Sequence, residues 1–381
     1  MQIPIQGFAD DSIVIFSTDQ SLCEIDKVIN NYENATCVQL NKDKTCVMGI
    51  GKWTGRKVWP IPWLKPVECC KILGINFYNS YIEMSEKNWS NVIEKVTKSV
   101  GMLSKRYLTL YQKALIINSL ILSKVWYLAH TLPLSKTNAQ KINVRIFRYL
   151  WCGMYQPIKR DILCLPKNKG GLGILNVYDK AWAILSVSCL KEVFQGIGLS
   201  RFYCIIGLSY LSDPIHIDEV SYISPPHYKR AIEGIRKAVH HNRFPFIKSR
   251  DMYWCLKLPS KPRVEENFPL LNWENIWKNV NNFLIGIEER EFLYRYIHET
   301  LATNQRLCML KIKDNSDCEK CGESEHQLHI FYFCKSIKYC VNWFQKILLK
   351  VCELCSYKFL EIVLYNIVLK NKKKTKSQPL F

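Results

Sequence analysis

The chain lacks any apolar run of membrane-spanning length; Ala114 to Leu122 comes nearest and is broken by Asn118 and Ser119. It also lacks a visible secretory leader, since Gln2 to Gly7 has no basic flank running into an apolar core. Acids are scarce: 33 Asp and Glu stand against 53 Lys and Arg, a formal net charge of +20. No internal repeat is visible. The 17 cysteines are an odd number, which in a reducing compartment argues against a disulfide framework. Most are scattered singly through apolar segments, as at Cys23, Cys37, Cys46, Cys152 and Cys189, which predicts buried thiols in a reducing compartment. These absences predict a soluble intracellular chain, nuclear or cytoplasmic, with no membrane partner. The charge predicts a polyanionic partner, because Lys and Arg gain by releasing counterions condensed on phosphates.

What is present can fill packed cores: 381 residues, 48% of them hydrophobic, suit two or three domains. The positive charge is concentrated, since Ser85 to Lys169 holds 15 Lys or Arg and three acids, Glu86, Glu94 and Asp161. So uneven a distribution predicts a phosphate track and not a general basic bias.

The hydrophobic pattern divides the chain. Residues 1–84 read as α+β: Ser12 to Phe16 is a short β-rich run, and Ser21 to Asn31 is a helix with apolar Leu22, Ile25, Val28 and Ile29. Thr45 to Ile50 is a second strand, and Lys71 to Phe77 a third with a glycine at its centre. Residues 85–195 turn helical, with Trp89, Val92, Ile93, Val96, Val100 and Leu103 at helical spacing. Thr109 and Gln112 form a capping box before Leu115 to Val125, and Pro133 ends that helix. Ser135 opens a third helix, with Ile142, Ile146, Phe147, Leu150 and Trp151 on one face and Lys141, Arg145 and Arg148 between them. A glycine-rich turn, Leu165 to Leu175, leads into an apolar helix from Tyr178 to Phe194. Residues 196–300 read as a helical connector, 301–345 as a small metal module, and 346–381 as a terminal helix and basic tail. The tail run Lys370 to Lys376 is either a solvated end or a nuclear-localisation signal. The fold class expected is α+β and predominantly helical.

Two constellations carry chemistry. Phe8-Ala9-Asp10-Asp11 sets adjacent carboxylates between apolar runs. Neighbouring residues on a strand point to opposite faces, so a hairpin turn best accommodates the pair. Carboxylates presented at a sheet edge suit a divalent cation, and Mg²⁺ is commonly held by one or two carboxylates plus substrate phosphates. An ordinary Asp-rich turn is the plain alternative. The second constellation, Cys318, Cys321, His329 and Cys334, has the form C-x2-C-x7-H-x4-C. It suits tetrahedral Zn²⁺ in a closed structural site, with His326 and Cys340 as rivals for the last two ligands. Cys352 and Cys355 have no second pair beyond them and read as helix-face thiols.

Gly7 to Ser12 resembles the [YF]ADD box of reverse transcriptases, and a run of later segments resembles, in the same order, those of non-LTR, LINE-type retrotransposon enzymes. Leu40 to Thr45 resembles their LN..KT segment, and Ile72-Leu-Gly-Ile75 their LGI strand. Asn118, Trp126-Tyr127, Pro133, Phe147 to Trp151 and Gly170 to Gly173 are similar to the thumb and the segment after it. Leu301 to Leu307, the cysteines, Glu325 and His329 resemble the zinc-binding region downstream, which binds RNA or target DNA; Phe331, Tyr332 and Phe333 would stack on bases or, more simply, fill a core.

The resemblance implies a partial palm, a basic helical thumb and a C-terminal zinc module. It implies Asp10 as a Mg²⁺ ligand, Asp11 as its supporting partner, and Lys44, with Lys42 as rival, near the leaving pyrophosphate. It also implies a third aspartate from an earlier strand and a glycine-rich dNTP-binding segment, and neither fits in the residues before Phe8. The chain is therefore expected to be a C-terminal portion of an RNA-directed DNA polymerase, inactive alone. A non-catalytic zinc-dependent RNA- or DNA-binding protein and a metal-dependent nuclease are the alternatives.

Overall fold

The computed structural model describes residues 5–8, 11–153, 155–197, 201, 202, 204, 205, 248–257 and 259–352. Helices dominate, and the chain divides into two compact units, Met1–Val92 and Ile93–Phe381. The strands of the described residues form three separate two-stranded pairs and not one continuous sheet.

In the first unit β1 (Ile5–Phe8) runs antiparallel to β2 (Asp11–Val14), with Phe8 opposite Asp11. Helix α1 (Asp19–Thr36) starts where the Thr18 side chain accepts the amide of Ser21. Of its expected apolar face Leu22 is buried, while Val28 is 64% exposed. Leu22 joins Val47, Trp59 and Ile61 in a small core bordered by Phe16, Trp53, Trp63 and Leu64. Arg56 fastens the helix start to that core: its guanidinium donates to both Asp19 oxygens at 2.7 and 2.9 Å and lies 4.5 Å from the Trp59 ring. A short β3 (Cys46–Val47) pairs in parallel with β4 (Lys65–Pro66).

The expected single strand from Lys71 to Phe77 is instead a hairpin, β5 (Cys69–Ile72) and β6 (Ile75–Tyr78), with Ile72 opposite Ile75. Leu73 and Gly74 both take positive φ, 47° and 82°, which gives the turn the twist a two-residue hairpin needs. The hairpin is pinned to α2 (Tyr81–Leu103) by Asn88. This buried side chain accepts from the Asn76 amide at 3.0 Å and donates to the carbonyls of Asn76 and Met84 at 2.7 Å each.

The second unit begins within α2. The Thr109 hydroxyl takes the Gln112 amide and the Gln112 side chain takes the Thr109 amide, so the expected capping box opens α3 (Leu110–Ile116). The helix continues through a π-helical turn at Ile117–Ile121 into α4 (Ser123–Ala129). Ser135 caps α5 (Lys136–Leu150), whose expected inner face, Ile142, Ile146, Phe147, Leu150 and Trp151, is buried throughout. After the short α6 (Arg160–Leu163), Asn176 caps α7 (Val177–Gln195).

The glycine-rich turn is fixed by close approach. A β-carbon on Gly171 would lie 1.9 Å from the Leu165 carbonyl oxygen, and one on Gly170 would lie 2.7 Å from the Trp277 ring. Asn118 holds the same turn by donating to the Gly173 carbonyl at 2.8 Å and accepting the Leu175 amide at 3.1 Å. The described part of 196–300 supplies core: Met252 and Tyr253 of α8 (Ser249–Leu256) pack on Ala183, Val187 and Leu190 of α7. Buried Trp277 donates to Glu265 at 2.7 Å and stacks on His298.

Of the 15 basic residues between Ser85 and Lys169, Lys113 is buried, Arg145 and Arg160 are half-buried, and the rest are exposed. Arg145 donates to the Thr97 hydroxyl at 2.6 Å and to the Lys141 carbonyl at 2.8 Å.

Candidate metal centre

The four cysteine and histidine positions converge. A short helix, α9 (Asn304–Met309), is capped by Thr303 and fixed by Glu325, which accepts the Asn304 amide on its carboxylate at 2.9 Å and the Gln305 amide on its carbonyl at 3.1 Å. Asn304 donates in turn to the Asp317 carbonyl at 2.8 Å. Asp317 bridges Ser324, and between them the chain folds into a tight turn. The Cys318 amide reaches the Glu323 carbonyl at 2.7 Å, and the Gly322 amide reaches the Cys318 carbonyl at 2.9 Å. Gly322 takes φ +73°, as a residue closing such a turn must. This brings Cys318 and Cys321 to one side. A π-helical turn, His329–Phe333, brings His329 and Cys334 to the other.

The donor atoms of these four residues all lie within 4.8 Å of one another, so the set could hold a metal ion. The Cys318 and Cys334 sulfurs are 3.9 Å apart, those of Cys334 and Cys321 3.8 Å, and the Cys321 sulfur is 3.2 Å from His329 Nε2. Sulfurs at Zn–S bonds of about 2.3 Å on tetrahedral corners stand roughly 3.8 Å apart, so the thiols are already spaced for that geometry. Cys318, His329 and Cys334 are buried and Cys321 is half-buried. The Ser336 backbone amide draws the Cys334 thiol down to about 7, toward the thiolate that binds metal. At Cys321 the Glu323 amide pulls down, but burial and the neighbouring Cys334 and Cys318 sulfurs outweigh it and the thiol is raised.

Neither rival belongs to the set. His326 Nδ1 accepts the His329 backbone amide at 3.2 Å, and Cys340 is exposed outside the cluster. Phe331 packs edge-on against Tyr296 and Phe292, with centroids 5.2 and 5.9 Å away, as a core residue does. Phe333 is 52% exposed. Sequence reasoning passed over Glu323, whose carboxylate lies 3.7 Å from His329 Nδ1 and 3.0 Å from Lys335 Nζ. A carboxylate two residues past the second cysteine was its one signal.

The carboxylate pair is described in part. Asp10 lies outside the described residues, and so does Ala9. Asp11 is exposed at the first position of β2. Lys44 is exposed too, and its amide closes a turn on Asn41 at 3.1 Å. Lys42 lies over the Trp63 ring at 5.5 Å. Among the described residues no hydrogen bond or ion pair joins Asp11 to either lysine. Cys355 lies outside the described residues, so a role for the Cys352 and Cys355 pair does too. Among the described residues no helix is long and apolar enough to cross a membrane. No protein-family model matches the chain, and no curated protein matches it.

Proposed function

We propose that the chain is a C-terminal portion of a LINE-type reverse transcriptase, an RNA-directed DNA polymerase. Its own share of the work is binding RNA and DNA through basic helices and a zinc module. The observation that carries this is the order of elements: strands flanking an ADD box, a helix, a second and third pair of strands, basic helices, then a Cys3His cluster. An exposed Asp11 at the start of a hairpin strand is compatible with a carboxylate offered to a cation. Asp10 and Asp11 would hold Mg²⁺, and the ion would neutralise charge on the phosphates of the dNTP and primer. Lys44 would supply positive charge to the leaving pyrophosphate, as the resemblance implies. Zn²⁺ fits the Cys3His set, whose four donors leave no open coordination position, so the module folds and docks and does not hydrolyse. Its place is inside the cell, in nucleus, cytoplasm or both.

The pair alone lacks the bridging aspartate and the nucleotide-binding fingers of the family. Primer extension on an RNA template by this chain should therefore give no product. Joined in frame to a segment carrying those parts it should give product, lost in Asp10→Ala. Robust Mg²⁺-dependent synthesis by the chain alone would refute the assignment of missing parts. No product from the joined protein would favour the second reading, a non-catalytic zinc-dependent RNA- or DNA-binding protein. That reading is favoured by the completeness of the Cys3His set, which needs nothing from Asp10.

A further inference from the structure

We infer that Glu323 is the positioning residue of the metal site, holding His329 in the tautomer that turns Nε2 to the ion; this rests on the metal reading above. An imidazole can present either nitrogen to a metal, and the choice is made by the hydrogen bond at the other one. Here Nε2 faces the Cys321 sulfur at 3.2 Å, and Nδ1 lies 3.7 Å from the Glu323 carboxylate, within ion-pair range and a few tenths of an ångström beyond a formed hydrogen bond. The His329 side chain is 2% exposed, so water does not compete for Nδ1 as it would at the surface.

Glu323 is anchored from two other directions. Its backbone carbonyl accepts the Cys318 amide at 2.7 Å, and its carboxylate pairs with Lys335 at 3.0 Å, one residue past Cys334. One residue thus touches, by backbone or side chain, the parts of the chain that carry the first cysteine, the histidine and the last cysteine. Lys335 occupies Oε1 while Oε2 is the oxygen nearer His329. The pair therefore orients the carboxylate and does not divert it. Two other module acids are turned elsewhere: Glu325 caps α9 and Glu319 pairs with Lys313 at 3.5 Å.

The consequence is measurable in the whole chain. With Zn²⁺ bound, the ring nitrogens of ¹⁵N-labelled His329 should report Nδ1 protonated and Nε2 coordinated. Competition with a chromophoric chelator should show zinc affinity falling about 10–100-fold in Glu323→Ala, the cost usual for losing such a partner. Glu323→Gln keeps an oxygen acceptor and should fall less, and Glu319→Ala should bind as the natural chain does. Coordination through Nδ1, or Glu323→Ala within twofold of the natural chain, overturns the inference while leaving the metal site standing. Failure of the natural chain to bind zinc overturns both. Coordination through Nδ1 is read on the natural chain, so it would overturn the inference even if Glu323→Ala does not fold.

Discussion

Stripping the metal should unfold residues 304–334 while the helical core stays closed. Among the described residues from Leu301 to Ile347 the buried ones are Thr303, Asn304, Cys318, His329 and Cys334. Three of these five are metal-site residues and none is aliphatic, so the module has no fully buried hydrophobic side chain of its own. Half-buried groups such as Leu307, Ile330 and Phe331 add only about 1 kcal/mol each. Fixing each backbone residue costs about 1–2 kcal/mol. Structural zinc supplies about 10–16 kcal/mol in comparably small modules, so an ion held by the Cys3His set, and not burial, would close the balance. By contrast, α3 to α7 bury Leu110, Ile117, Ile121, Ile142, Ile146 and Leu150, among others, without help from a metal. Hydrogen exchange read by mass spectrometry, before and after chelation, should show protection lost from peptides spanning Asn304 to Cys334 and kept in those spanning Leu110 to Gln195. Unchanged protection across the module would refute this account of its stability.

Three further perturbations test the packing. Burial holds the His298 imidazole down at about 4, against a contact with the Gly170 carbonyl that works the other way. Its ordinary value is 6.5, so the unfolded chain binds the extra proton between the two; stability is full above pH 6.5 and falls by up to about 3 kcal/mol toward pH 4. Urea midpoints across that window should show the loss, and His298→Gln should flatten it; an equally steep fall in the variant would remove His298 as the cause. Gly171→Ala places its β-carbon on the Leu165 carbonyl and should cost more than about 3 kcal/mol by denaturant titration, so a neutral effect would contradict the close approach. Asn88→Ala strands the Asn76 amide and carbonyl and should cost about 2 kcal/mol, with exchange of the Asn76 amide accelerated; an unshifted midpoint and unchanged exchange would show that the hairpin does not depend on this pin.

Local signals translated well into structure. The Thr109 and Gln112 capping box, the Ser135 cap and the buried stripe from Ile142 to Trp151 are set by residues within a turn or two of one another, and each could be read directly. The Cys3His set was equally legible, because two-residue and four-residue spacings leave few ways to gather the donors. Signals that depend on a partner far along the chain were not. An apolar Leu73 gives no hint of positive φ, so the hairpin at Leu73-Gly74 passed for one strand. Val28 keeps the helical period yet is exposed, since periodicity says which face is apolar and not whether anything covers it. Trp277 and His298 lie more than a hundred residues beyond the glycine turn they close over, and nothing near Gly170 announces them.

The central claim is that this chain holds nucleic acid through its basic helices and its metal module. The direct measurement is the affinity of the full chain for an RNA hairpin and a DNA duplex across a salt series, with and without zinc. Log affinity should fall steeply and linearly with log salt, as release of several counterions requires, and chelation should weaken binding further. A flat salt response with affinity indifferent to zinc would contradict it.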